Sequence, residues 1–183
     1  MRSVNVFLKN RFPIFSEIFT VYSVIVFFWY SWAMLVFLYN LPSLMLSASL
    51  DEILSYFAYG MVFVFLDTVL VLAILLGVTG LAPSSLLKDD FIAGGSVLAI
   101  LFFFWMSVIN FALGYLAYWP EWKVFMVLVT ILASIILFEY IFRRFSIPRR
   151  IILWLSSSAG IFVYPYGFLS AIGVIVVFLR NLF

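Results

Sequence analysis

Runs of twenty or more apolar residues, separated by short polar gaps, constrain this chain more than any other feature. A helix of about 20 apolar residues matches the roughly 30 Å of hydrocarbon in a bilayer. Charged residues make up only 10% of the chain, against 67% hydrophobic ones, and they lie mostly between the runs. That is too little polar surface to face water on all sides, so lipid is the solvent. In lipid each spanning segment must satisfy its own backbone polar groups, and helices do so. The expected fold class is therefore all-α, a polytopic transmembrane helix bundle forming a single integral membrane domain over residues 1–183.

The first span covers about residues 14–39, with Pro13 near its start, where a missing N–H costs little; Asn40-Leu41-Pro42-Ser43 ends it. Residues 44–50 are apolar but short, and suit the interface. The second span covers about 53–80, with Asp51 and Glu52 at the positive end of its dipole and Gly80-Leu81-Ala82-Pro83 as its stop. The third covers about 91–118, and the turn after it gathers Tyr115, Tyr118, Trp119 and Trp122 as a headgroup-level aromatic belt. The fourth covers about 123–142.

Residues 151–179 make a final stretch with Tyr164-Pro165-Tyr166-Gly167 in its middle. Two architectures fit it. One is a fifth, tilted span broken near 164–167; the other is a six-segment chain whose last two short arms form a hairpin. Five spans is the main expectation.

With the N-terminus in the cytoplasm, Arg2, Lys9, Arg11, Lys88, Arg143, Arg144, Arg149 and Arg150 share the cytoplasmic side, eight of the ten basic residues. The positive-inside rule selects that orientation. The basic N-terminus resembles a signal peptide, but the apolar run after it is too long and ends without a small-x-small cleavage pattern, so an uncleaved span is expected. The shortness of the chain points to a plasma (inner) membrane.

The chain contains neither histidine nor cysteine. This removes the ordinary haem and zinc ligands, histidine acid/base chemistry, the Ser-His pair, thiolate metal sites and disulfides. No nucleotide-binding glycine motif is present, so no cofactor, no metal and no catalytic residue is expected. The basic segment is too short and too close to the membrane for nucleic acid.

Asp67 is the sharpest candidate. A carboxylate at mid-span costs about 2.5–3.5 kcal/mol to insert. Fourteen Leu, Ile, Val or Phe residues between Leu54 and Leu76 offset this at roughly 0.3–0.6 kcal/mol each. Insertion thus tolerates Asp67 without explaining it. Facing the bundle interior, it would be a proton or ion site; its alternative is a protonated acid bonding two helices together. Asn110 is the expected partner, on a stripe with Ser107 and Gly114 spaced i, i+3, i+7, which reads either as a polar pathway or as a packing seam.

Ser156–Gly160 and Gly167–Ala171 are small-x-x-x-small pairs flanking Pro165. They form either close helix contacts or a broken helix lining a cavity. Arg143, Arg144, Arg149 and Arg150 make a basic rim for anionic headgroups or an acidic partner, or serve topology alone. Glu139 is placed to pair with Arg143, and Glu17 to pair with Arg11 or Arg150. Trp29, Tyr30 and Trp32 read as packing and belt residues.

Two functional classes follow. The first is a non-catalytic subunit or scaffold of a membrane complex, partnered by another membrane protein or by copies of itself. The second is a small transporter or channel that uses Asp67 and the broken last helix. A lipid-handling enzyme is a weaker third, since no clustered acid, base and nucleophile set exists.

Overall fold

The structure is a computed structural model and describes residues 13–81, 90–116, 120–144 and 146–182. The described residues are almost entirely helical, with no strand among them. α1 spans Phe15–Ser47, α2 Leu50–Leu81, α3 Phe91–Leu116 and α4 Glu121–Arg144. α5 spans Ser146–Ala159 and passes through a 3-10 turn, Gly160–Phe162, into α6, Val163–Leu182. Four runs are long and apolar enough to cross a membrane: Phe15–Ser47, Leu50–Gly80, Phe91–Asn110 and Ser146–Leu182. α4 contributes the shorter apolar stretch Trp122–Phe138. The protein is an all-α bundle of the membrane-embedded kind.

The helix starts follow local chemistry. The Glu17 carboxylate accepts the Ile14 backbone N–H at 3.0 Å, which caps α1. Pairing of Glu17 with Arg150 is not seen; Arg11 lies outside the described residues. The Glu52 carboxylate accepts the Ser49 backbone N–H at 2.8 Å and its hydroxyl at 2.9 Å, half of a capping box.

Two proline expectations change. α1 continues through Pro42 to Ser47 instead of stopping at residue 40. At 33 residues it is about 50 Å long, so the proline falls beyond the length a bilayer core requires, near an end where solvent can satisfy a freed carbonyl. Pro165 does not sit at the helix break either. It occupies the first turn of α6, where no N–H is needed. The irregularity is displaced to Gly160–Phe162, the turn that a continuous helix would bond to that proline.

The six-segment hairpin is not what the chain forms. Arg149, near the start of α5, pairs with Asp90 beside the start of α3, Nε to Oδ2 at 2.6 Å. Asn181, near the end of α6, donates to the Tyr59 hydroxyl at 3.1 Å, close to the start of α2. These are opposite ends of the bundle, because the second half of α2 packs with the start of α3 through Val71, Leu75, Phe91 and Ala99. α5 and α6 therefore cross once, in one direction. Arg180 lies at the end away from Arg149.

α1 is the central helix and packs against α2, α3, α5 and α6. Val21 and Ile25 meet α2 and α3 in one cluster, and Val26 and Tyr30 meet Met61 of α2 and Tyr166 of α6 in another. α4 stands at the margin against α3 and α5. Most of its outer residues are exposed, Ile136 at 72%, as expected where lipid is the solvent.

Lipid tails are as apolar as leucine, so burial alone does not hold such helices together; close packing and hydrogen bonds do. Both are present. Gly95 brings α3 near Val21, where a Cβ would stand 3.1 Å from Val21 Cγ2. Gly173 brings α6 onto the α2 backbone, where a Cβ would stand 2.9 Å from the Ala58 carbonyl oxygen.

Candidate functional site

α2 has two unlike sides. Ala58, Met61, Thr68, Val71 and Leu75 are buried against neighbouring helices. Asp67, next in the chain to the fully buried Thr68, is exposed. It does not face the bundle interior. It belongs to a stripe formed by Tyr56, Gly60, Phe63, Asp67, Leu70, Ile74 and Gly77, spaced alternately by four and three residues. Except for the half-buried Gly60, every member is exposed. Asp67 makes no hydrogen bond or ion pair among the described residues.

The same stripe borders a groove of about 410 Å³ between α1 and α2. Trp32, Val36 and Asn40 line it from α1, and Tyr56, Gly60 and Phe63 from α2. Gly60 has no heavy atom within 4 Å of where a Cβ would stand, so the groove is open there. Asp67 follows Phe63 by one helical turn.

Asn110 does not partner Asp67. It is exposed and makes no side-chain hydrogen bond among the described residues. Ser107 is half-buried and donates to its own helix, to the Phe103 carbonyl at 2.9 Å. The Gly114 contact falls outside the described side chains. A polar pathway between α2 and α3 is not built, because α1 packs against both and their direct contact is slight.

The polar groups that do meet join α5 to α3, and α6 to α1 and α2. Ser156 is buried, donates to the Ile152 carbonyl at 2.8 Å and meets the Ser96 hydroxyl at 2.9 Å. One turn on, Gly160 faces Ser23, its Cβ position 4.0 Å from the hydroxyl. Farther along, the Tyr30 and Ser170 hydroxyls are hydrogen-bonded, and Ser170 also donates to the Met61 carbonyl at 3.4 Å. The Tyr30 ring stacks on Tyr166 at 4.8 Å, and Phe162 extends the stack to Phe27.

Ser156 and Gly160 therefore serve helix packing. Gly167 and Pro165 do not: both are exposed, and Gly167 has nothing within 4 Å. The close contact on α6 is made by Ser170 and Gly173, three residues apart. The sequence signal for it was the small residues at 170 and 173, masked by the four-residue spacing of Gly167 and Ala171.

Trp29 and Trp32 pack inward on Phe102 and Phe103 of α3. Of the basic rim, Arg149 holds Asp90 and Arg150 is exposed. The side chains of Arg143, Arg144 and Glu139 lie outside those described. A second groove, about 390 Å³, runs between α3, α4 and α5 past Phe104, Trp105 and Ile152. It is almost wholly apolar, with the Trp105 indole N–H donating to Ser134 at 2.9 Å.

Among the described residues no group of three or more acidic residues is placed to hold a metal ion. Comparison with protein-family models, with curated proteins and with solved structures finds no match.

Proposed function

We propose that this chain is a non-catalytic subunit or scaffold of a membrane complex, with the end that carries Arg149 and Arg150 on the cytoplasmic side. One observation carries the reading: the only acidic residue in the middle of a span points out of the bundle and has no hydrogen-bond or ion-pair partner among the described residues. A carboxylate costs too much in hydrocarbon to stand there without a role, and an outward role is an intermolecular one. The transport alternative asks Asp67 and the helix break to open onto a common cavity. Asp67 faces outward from α2, whereas the break at Gly160–Phe162 is packed against α1. The exposed Arg150 is available to anionic headgroups on the same reading.

The test is gentle solubilisation of native membranes, affinity capture of the chain and native mass spectrometry. A stoichiometric complex with a different membrane protein is expected. A lone chain or a pure homo-oligomer overturns the reading, and pH-dependent flux in liposomes that is lost in Asp67→Asn would put the transporter in its place.

A further inference from the structure

The outer stripe of α2 carries a more specific assignment, which rests on the subunit reading. We propose that it seats a transmembrane helix of a partner protein bearing a lysine or arginine at the depth of Asp67.

Three observations converge. The first is spacing. Alternation by four and three residues from Tyr56 to Gly77 is the seam of two helices crossing at a shallow angle. α2 presents this seam outward, with Gly60 leaving room beside it in the α1–α2 groove. The second is the position of Asp67 on that seam. One polar residue among apolar seam positions sets register and partner choice at some cost in stability. The third is charge. Among the described residues every lysine and arginine lies within five residues of a helix end. Asp67 is 14 residues from the nearer end of α2, about 21 Å along the axis. A second copy docked on the same stripe would bring Asp67 towards Asp67 and supply no cation. A basic residue from a different helix both neutralises the carboxylate and satisfies its oxygens.

The test uses the full chain in phosphatidylcholine vesicles, which separates it from the search for a native partner. A donor fluorophore is placed on Leu46→Cys, 91% exposed near the end of α1 and off the stripe, possible without background because the chain has no cysteine. The probes are acceptor-labelled leucine-rich transmembrane peptides, one with a central lysine and one without. About tenfold tighter association of the lysine peptide is expected, in the range of polar contacts between helices in membranes. Asp67→Asn should remove most of that preference. Gly60→Leu, at a position where an added Cβ has no heavy atom within 4 Å and the longer side chain extends into the groove, should weaken binding of the lysine peptide while the chain still folds. Equal association of the two peptides, or a preference that survives Asp67→Asn, overturns the proposal. Energy transfer between two copies labelled at Leu46→Cys, at the same strength as with the lysine peptide, overturns it in favour of self-association. Failure here with a partner still found in native membranes leaves the subunit reading intact and removes only this seat.

Discussion

Gly173→Ala tests the close approach of α6 to the α2 backbone. The added methyl would stand 2.9 Å from the Ala58 carbonyl oxygen, with Val62 Cγ2 at 3.4 Å and Met61 Cβ at 3.5 Å. Ordinary contact begins near 3.4 Å, so α6 must withdraw from α2 by about 0.5 Å. The obstacle is backbone, and two further atoms block a sideways escape. Overpacking of this kind costs about 1–3 kcal/mol. Gly167→Ala is the matched control. It lies on the same helix with nothing within 4 Å, and it receives the same gain in helix propensity, roughly 1 kcal/mol. Subtracting the two cancels that gain and isolates the steric cost. Reversible unfolding in mixed micelles titrated with SDS reads both variants. Gly167→Ala should be neutral or more stable, and Gly173→Ala should fall about 1–3 kcal/mol below it. Equal stability of the two would refute the close α2–α6 approach and the single-crossing path of α5 and α6 with it.

Two further predictions use the same assay. Tyr30→Phe removes the hydroxyl bonded to the buried Ser170 and should cost about 1 kcal/mol; adding Ser170→Ala should cost clearly less than the sum of the single changes, and full additivity would refute the pairing. Arg149→Gln breaks an ion pair whose side chains are 53% and 41% exposed, so its cost should be no more than about 1 kcal/mol and should vanish at high salt; a larger, salt-independent loss would mean that the pair does more than join two helix ends.

The helix starts were legible because their signals are local. Residue 91 opens α3 as expected, and the acidic residues at 51 and 52 mark the start of α2. Of the two proline signals, Pro42 interrupts nothing before Ser47 and Pro165 follows a break that falls one turn earlier. Whether Pro42 ends a helix depends on what surrounds the freed carbonyl, and Pro165 acts on the turn before it. Of the candidate residues, Ser156 and Gly160 fall where close packing was expected. Gly167 does not, because two small-residue registers overlap on that helix and only contact with Ala58 and Met61 selects between them.

Length and apolarity are properties of each segment, and they determine by themselves that this chain forms a membrane helix bundle and that Asp67 sits in the middle of a span. Which way Asp67 points is another matter. In water a helix shows its buried side as the apolar one. In lipid both sides of α2 are apolar, so the periodic pattern that would reveal its inner face is nearly erased. Only the packing of α1 and α6 onto Met61, and of α1 and α3 onto Val71, with Thr68 buried between, decided that the neighbouring Asp67 looks outward, and that orientation moves the candidate site from the interior of the bundle to its surface.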